Sequence, residues 1–268
     1  MSGTVIVITS GKGGVGKTTA AANIGAALAM SGPRVALVDA DIGLRNLDLV
    51  LGLENRIIYD LVNVVEGRVE LRKALIRHKH IENLSLLPAA QSRDKNAVNP
   101  DQMRTLTEEL KEEFDFVILD CPAGIEQGFK NAVAGAEKAI VVTTPEMSAV
   151  RDADRIIGML DSEGIHNPWL VVNRIRPDMV KRQDMLSVDD LIEHLKIELL
   201  GVVPDDESII VSTNRGMPAV MDDRSKAGKA FKQIAARIVG EDVPAAATAE
   251  PEDEWFTRLI RWLRGERG

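Results

Sequence analysis

Aromatic residues make up only 3% of the 268-residue chain, cysteine occurs once, and basic residues are outnumbered by acidic ones. The lone Cys121 excludes an internal disulfide, and by itself it builds no thiolate metal or iron–sulfur site within one subunit. This suits the cytosol. No run approaches the roughly 18 apolar residues that a spanning helix needs, and no charged-then-apolar leader precedes the first strand-like stretch, so neither export nor membrane spanning is expected. With 33 Lys and Arg against 41 Asp and Glu, the formal charge is −8 and the pI about 5.2. Nucleic acid is therefore an unexpected partner for the body as a whole.

What is present is 45% apolar residues, mostly Ala, Val, Ile and Leu, arranged in short runs: TVIVIT, RVALVD, LSLLP, DFVILD, AIVVTT, PWLVVN and LLGVVP. Fully apolar runs of this length, separated by helix-like stretches, predict a mostly parallel sheet covered by helices on both faces, a doubly wound α/β fold. Punctuation agrees. A helix from about Lys17 to Met30 is stopped by Ser31, Gly32 and Pro33, Asn99 with Pro100 opens another, and Ser187 followed by Asp189 and Asp190 opens a third. This domain is expected to occupy residues 1–240. Residues 241–254, EDVPAAATAEPEDE, are acidic, rich in Ala and Pro and without hydrophobic periodicity, which predicts a flexible linker. Residues 255–268, WFTRLIRWLRGERG, are a different kind of segment.

The stretch GKGGVGKT, Gly11 to Thr18, follows the first strand directly and precedes the first helix, the context in which a G-x-x-x-x-G-K-[ST] match identifies a phosphate-binding P-loop. Gly11, Gly13, Gly14 and Gly16 permit close backbone approach, so that N–H groups of the loop through Val15 and on to Thr19 point at phosphate oxygens beside a helix N-terminus. Lys17 is expected to bridge the β- and γ-phosphates, and the Thr18 hydroxyl to ligate Mg²⁺. Asp120, ending the strand FVILD, supplies the Walker B carboxylate for that metal. Asp39 and Asp41 end another strand. One of them can hold the metal's water shell and the other can orient the attacking water. With no N-K-x-D anywhere, adenine is the expected base, and Asn173 at the end of WLVVN is the local candidate for contacting it.

GKGGVGKTT, with a lysine directly after the first glycine, resembles the deviant Walker A, or ParA–MinD, superfamily of dimeric P-loop ATPases. DADIGLRNLDLVLGLENRIIYDLVNVVEG, LPAAQSRDKNAV, DCPAGIE, SAVRDADRIIGML and DMLSVDDL look like the branch that selects the bacterial division site. The resemblance runs from about Thr4 to Val239 and resumes in the last turns. It implies that Lys12 is the signature lysine, reaching across a nucleotide-sandwich homodimer to the other subunit's phosphates. Such a cation acts as an arginine finger does. It implies further that Asp41 positions water, that Asp39 is an outer-shell partner of Mg²⁺, and that Asn173, Arg174 and the loop from Pro204 through Asp206 to Glu207 contact adenine. Asp152 and Asp154 on one helix resemble the surface where an activator of the MinE kind and a division inhibitor of the MinC kind compete.

On a helical wheel Trp255, Phe256, Leu259, Ile260, Trp262 and Leu263 fill one arc of about 160°, with Arg258, Arg261 and Arg264 on the other side. This basic amphipathic segment suits an anionic membrane surface. Being short, it is expected to be mostly unfolded in water and to bind weakly as one copy. Two copies joined by ATP would bind together, and hydrolysis would release them. The sequence thus reads as an ATPase that cycles between cytosol and membrane to position the septum. Its rivals within the superfamily are a partition ATPase binding DNA, using a basic stripe from residues such as Lys181 and Arg182, and a flagellar-number regulator. No additional activation segment of the regulator's kind is expected ahead of the first strand.

Overall fold

The computed structural model describes residues 2–93 and 97–245. Its strands are β1 (Thr4–Thr9), β2 (Val35–Asp39), β3 (Ile76–Arg77), β4 (Leu84–Leu87), β5 (Phe116–Asp120), β6 (Lys138–Thr143), β7 (Trp169–Ile175) and β8 (Glu198–Pro204). They form one sheet in the order β3-β4-β2-β5-β1-β6-β7-β8. Every pairing is parallel except β3 with β4, where Ile76 stands opposite Leu86. The seven apolar runs are the seven parallel strands. β3 escaped sequence reading because two residues carry no periodicity.

The helices are α1 (Lys17–Met30), α2 (Leu47–Leu51), α3 (Leu61–Val65), α4 (Leu71–Ala74), α5 (Pro100–Glu113), α6 (Gln127–Ala134), α7 (Met147–Ser162), α8 (Pro177–Lys181), α9 (Val188–Leu195), α10 (Ser208–Asn214) and α11 (Lys226–Ile238). β1 shows how both faces are covered. Val5 and Val7 pack with α5, α6 and α7, whereas Ile6 and Ile8 pack with α1 and α11, as the two-residue period of a strand dictates. The expected caps are in place: Asn99 and Gln102 form a reciprocal capping box with Pro100 as the first helical residue, and Ser187 and Asp190 form another. No described helix is long and apolar enough to cross a membrane. The amphipathic segment 255–268 and most of the linker, from residue 246, lie outside the described residues.

One buried titratable group ties the sheet edge to α2. His78, just past β3, accepts the backbone N–H groups of His80 at 3.2 Å and Ile81 at 3.1 Å through Nδ1 and bonds the backbone of Leu51. Burial first, then the neighbouring charges of His80 and Lys79, push its pKa down to about 4. Because the folded value lies below the unfolded one, the unfolded chain binds the extra proton, and stability from this residue is lost as pH falls from about 6.5 towards 4. At pH 5 the loss is at most about 2 kcal/mol. Urea unfolding at pH 7.5 and pH 5 is expected to show that difference in the wild type relative to His78→Gln; parallel pH profiles for the two proteins would refute it.

Candidate phosphate-binding site

The loop between β1 and α1 owes its path to two glycines. Gly16 caps α1 in the left-handed region at φ +95°, and a Cβ there would fall 2.2 Å from Nδ2 of Asn173. Gly11 presses on α7, where a Cβ would meet the Asp152 carbonyl oxygen at 2.2 Å. Between them Gly13 and Gly14 border open space. α1 begins without a side-chain cap and without an acidic residue in its first turn. Its first N–H groups and the helix dipole therefore favour an anion.

The two lysines of the loop go separate ways. Lys17 is 8% exposed, and its Nζ donates to Oδ1 of Asp120 at 3.1 Å. Lys12 is 45% exposed and reaches outward, donating to Ser148 Oγ at 3.3 Å with Glu146 Oε2 at 3.7 Å, both at the start of α7. Burial works to lower the pKa of Lys17, but the charge and hydrogen bond of Asp120, with further help from the negative field that includes Asp41, hold the ammonium above its usual range. For Asp120 itself burial pushes the carboxyl up, opposed by the charge of Lys17 and by a hydrogen bond from the Thr18 hydroxyl. Thr18 and Asp120 are thus side by side, one hydroxyl and one carboxylate beside an open anion cradle. That donor set fits Mg²⁺, which takes one or two protein oxygens and completes its shell with phosphate and water. Among the described residues no three His, Cys, Asp or Glu side chains form an all-protein metal cage.

Asp39 lies across the sheet from Asp120, in register with it, and is equally buried. Its Oδ1 accepts the N–H of Asp41 at 3.0 Å, and its Oδ2 accepts those of Asn46 and Leu47 at 3.2 Å each. Burial, then the negative charge of Asp120, raises its pKa to about 7. The resemblance implies an outer-shell role for Asp39; the contacts seen make it a clamp on residues 41–47, the segment that carries Asp41. Arg45 in the same segment takes φ +44° and pairs with buried Asp48 at 2.9 Å, a contact that sequence reading missed. Asp41 lines a narrow cleft with Pro122 and Gly128.

On the side expected to meet a base, Asn173 is buried, and its Nδ2 donates to the Val15 carbonyl at 2.8 Å while its Oδ1 accepts the Arg174 N–H at 3.0 Å. It braces the phosphate loop, with one further N–H on the carboxamide. Arg174 is exposed at φ +58° and Pro204 is half-buried. The carboxylate of Asp206 accepts from the Ser208 N–H at 2.9 Å, the Ser225 hydroxyl at 3.1 Å and the Ala227 N–H at 2.9 Å. Burial opposes its ionisation, but these donors hold it below the usual carboxylate range. Its side chain therefore pins the loop to the start of α11. Glu146, Ser148 and Ser225 were not legible in advance, since no local pattern marks them.

Cys121 is fully buried, and burial raises its thiol to about 12, so it stays protonated and inert. Asp152 is half-buried and Asp154 exposed on α7. Of the residues suggested for a DNA-binding stripe, Arg182 stands between Asp184 at 2.9 Å and Asp178 at 3.7 Å, which cancels its charge.

Residues 2–239 match the family model described as ParA, NUBPL iron-transfer P-loop NTPase. The septum site-determining protein MinD of Bacillus subtilis (strain 168) is 60% identical over 259 residues, 96% of this chain and 97% of that one. A cell-division MinC:MinD complex from Aquifex aeolicus contains a chain that is 49% identical with a TM-score of 0.84, covering 90% of this chain and 97% of that one. The septum site-determining MinD of Pyrococcus horikoshii OT3, complexed with Mg-ADP, is 32% identical with a TM-score of 0.80, covering 88% and 95%.

Proposed function

The chain belongs to the ParA family of P-loop NTPases and, within it, to the septum site-determining MinD proteins, and from that premise we propose that it is a Mg²⁺-dependent ATPase whose ATP-bound homodimer sits on the anionic inner membrane surface and places a division inhibitor there. The observation that carries the reading is the division of labour in the loop. One lysine is sunk against Asp120 in its own chain, and the other is exposed at the rim, where a second copy can be reached.

When nucleotide enters, the first N–H groups of α1 and the glycine loop receive its phosphates, and Lys17 exchanges Asp120 for phosphate oxygens. Thr18 and Asp120 would hold Mg²⁺, which would supply charge neutralisation to the phosphates. Asp39 fixes the segment that lets Asp41 orient the attacking water. Lys12 of each copy leaves Glu146 and Ser148 to stabilise charge developing in the partner's site. Residues 241–254 tether the membrane helix 255–268, dimerisation doubles its copies, and Asp152 and Asp154 form the face for MinC-like and MinE-like partners.

Sedimentation with phosphatidylglycerol vesicles tests the switch. The full chain is expected to pellet in ATP but not ADP, and a chain ending at Glu254 in neither. Asp41→Ala should remain bound in ATP. Equal pelleting in both nucleotides, or capture by duplex DNA instead of vesicles, would overturn the reading. Lys12→Ala makes a separate prediction: hydrolysis falls about 10²-fold or more, as for loss of an arginine finger, while stability shifts by under about 0.5 kcal/mol because both its contacts are exposed. A destabilised Lys12→Ala with normal turnover would contradict it.

A further inference from the structure

A groove of about 880 Å³ opens at the C-terminal ends of β6, β7 and β8, next to the phosphate loop and bordered by Arg174 and Asp205 from the side expected to meet a base. Its apolar wall is methionine-rich: Met147, Met179 and Met185, with Val180 and Leu186. All five are at least partly exposed. Flexible thioether side chains adapt to bulky aromatic anchors, the property that suits such grooves to amphipathic helices. Its rim carries Glu146, Asp184, Asp190 and Asp205 against Arg174 and Arg176. Asp184 is shared with Arg182 and Glu146 with Lys12, so the rim's acidity rests mainly on Asp205 and on Asp190, which is held ionised by Ser187.

We propose that this groove is an autoinhibitory dock for the chain's own segment Trp255–Gly268, which it holds when no nucleotide dimer has formed. Complementarity is one support: the segment carries four arginines against one glutamate, and three of the arginines, Arg258, Arg261 and Arg264, fall on one side of its helical period, with two tryptophans, a phenylalanine and aliphatic residues on the other. Reach is another. The described chain leaves α11 and at Ala245 runs against Gly201 of β8, four residues before groove-lining Asp205. The nine residues 246–254 span up to about 30 Å when extended, more than that path requires. Position is the third, since Glu146 on the rim is also the residue that holds Lys12, so departure of Lys12 to a second copy alters the dock. The inference rests on the reading of residues 255–268 as an amphipathic helix, but not on their affinity for lipid.

Limited trypsinolysis of the full chain without nucleotide, followed by mass spectrometry of cleavage after Arg258, Arg261 and Arg264, tests it. Residues 241–254 contain no Lys or Arg, so these cuts report the segment itself. Met179→Glu places charge in the half-buried wall, and Asp205→Arg reverses an exposed rim charge without touching packing. Both are expected to speed these cuts about tenfold relative to wild type and to raise nucleotide-free pelleting with phosphatidylglycerol vesicles several-fold. Equal cleavage in all three proteins overturns the dock even if vesicles capture the chain in ATP. Protection that grows with protein concentration also overturns it, in favour of a second copy's segment. Protection lost in both variants with no vesicle binding by any protein upholds the dock and removes the membrane reading.

Discussion

Lys17→Met is expected to cost about 3 kcal/mol of stability in the nucleotide-free protein and to abolish stabilisation by Mg-ATP. The first effect follows from burial. Removing the ammonium leaves Asp120, 1% exposed, with only the Thr18 hydroxyl as partner, and breaking one side of a buried pair costs several kcal/mol. Uptake of a proton by Asp120 limits the loss. The double variant Lys17→Met/Asp120→Asn is therefore expected to regain most of the stability, because nothing charged remains to be desolvated. The second effect follows from ligand linkage, since a chain that no longer binds nucleotide gains nothing from it, whereas the wild type at 100 times its Kd gains about 2.7 kcal/mol. Urea denaturation of the three proteins with and without Mg-ATP checks both. A single variant as stable as wild type, or still stabilised by Mg-ATP, would show that the pair is not the hinge of the site.

Gly16→Ala carries the other large effect, and it comes from the backbone. A Cβ at φ +95° is strained in any surroundings, and here it also meets Asn173 Nδ2 at 2.2 Å, which breaks the brace from Asn173 to Val15. A loss of about 2–4 kcal/mol is expected, with nucleotide binding abolished. Gly13→Ala makes the useful contrast. Its Cβ meets nothing within 4 Å, so stability should change by under about 0.5 kcal/mol while nucleotide affinity falls, because the new methyl intrudes on the cradle. Thermal unfolding and a fluorescent nucleotide titration separate the two. If Gly16→Ala melts with wild type, the loop is not held as described.

How much of this was written in the sequence varies with the range of the interactions. The P-loop, its flanking strand and helix, the seven parallel strands and the caps at Asn99 and Ser187 depend on neighbours within a few residues, and local pattern suffices for them. Asp120 and Asp39 were found because a carboxylate at the end of an apolar strand stands out. What their pairing does, Lys17 to Asp120 across 103 residues and Asp39 to the N–H groups of Asn46 and Leu47, emerges only when the sheet sets them in register. Asp206 shows the limit most plainly. The resemblance alone pointed to its loop as a contact for the base, and no local pattern shows that its carboxylate is engaged by Ser225 and Ala227, 19 and 21 residues away. Asn173 likewise reads as an arm towards the ligand and serves first as a prop for the loop, 158 residues distant in sequence.

The contact of Gly11 with the Asp152 backbone joins the floor of the phosphate loop to the helix that displays Asp152 and Asp154. With no room for a side chain between them, a displacement of one is passed to the other. Any molecule that binds the outer face of α7 differently in the nucleotide-loaded and empty chain must alter nucleotide affinity by the same factor, since equilibrium coupling between two sites is reciprocal. A single glycine without a side chain thus makes the acidic helix face and the phosphate cradle two ends of one thermodynamic cycle.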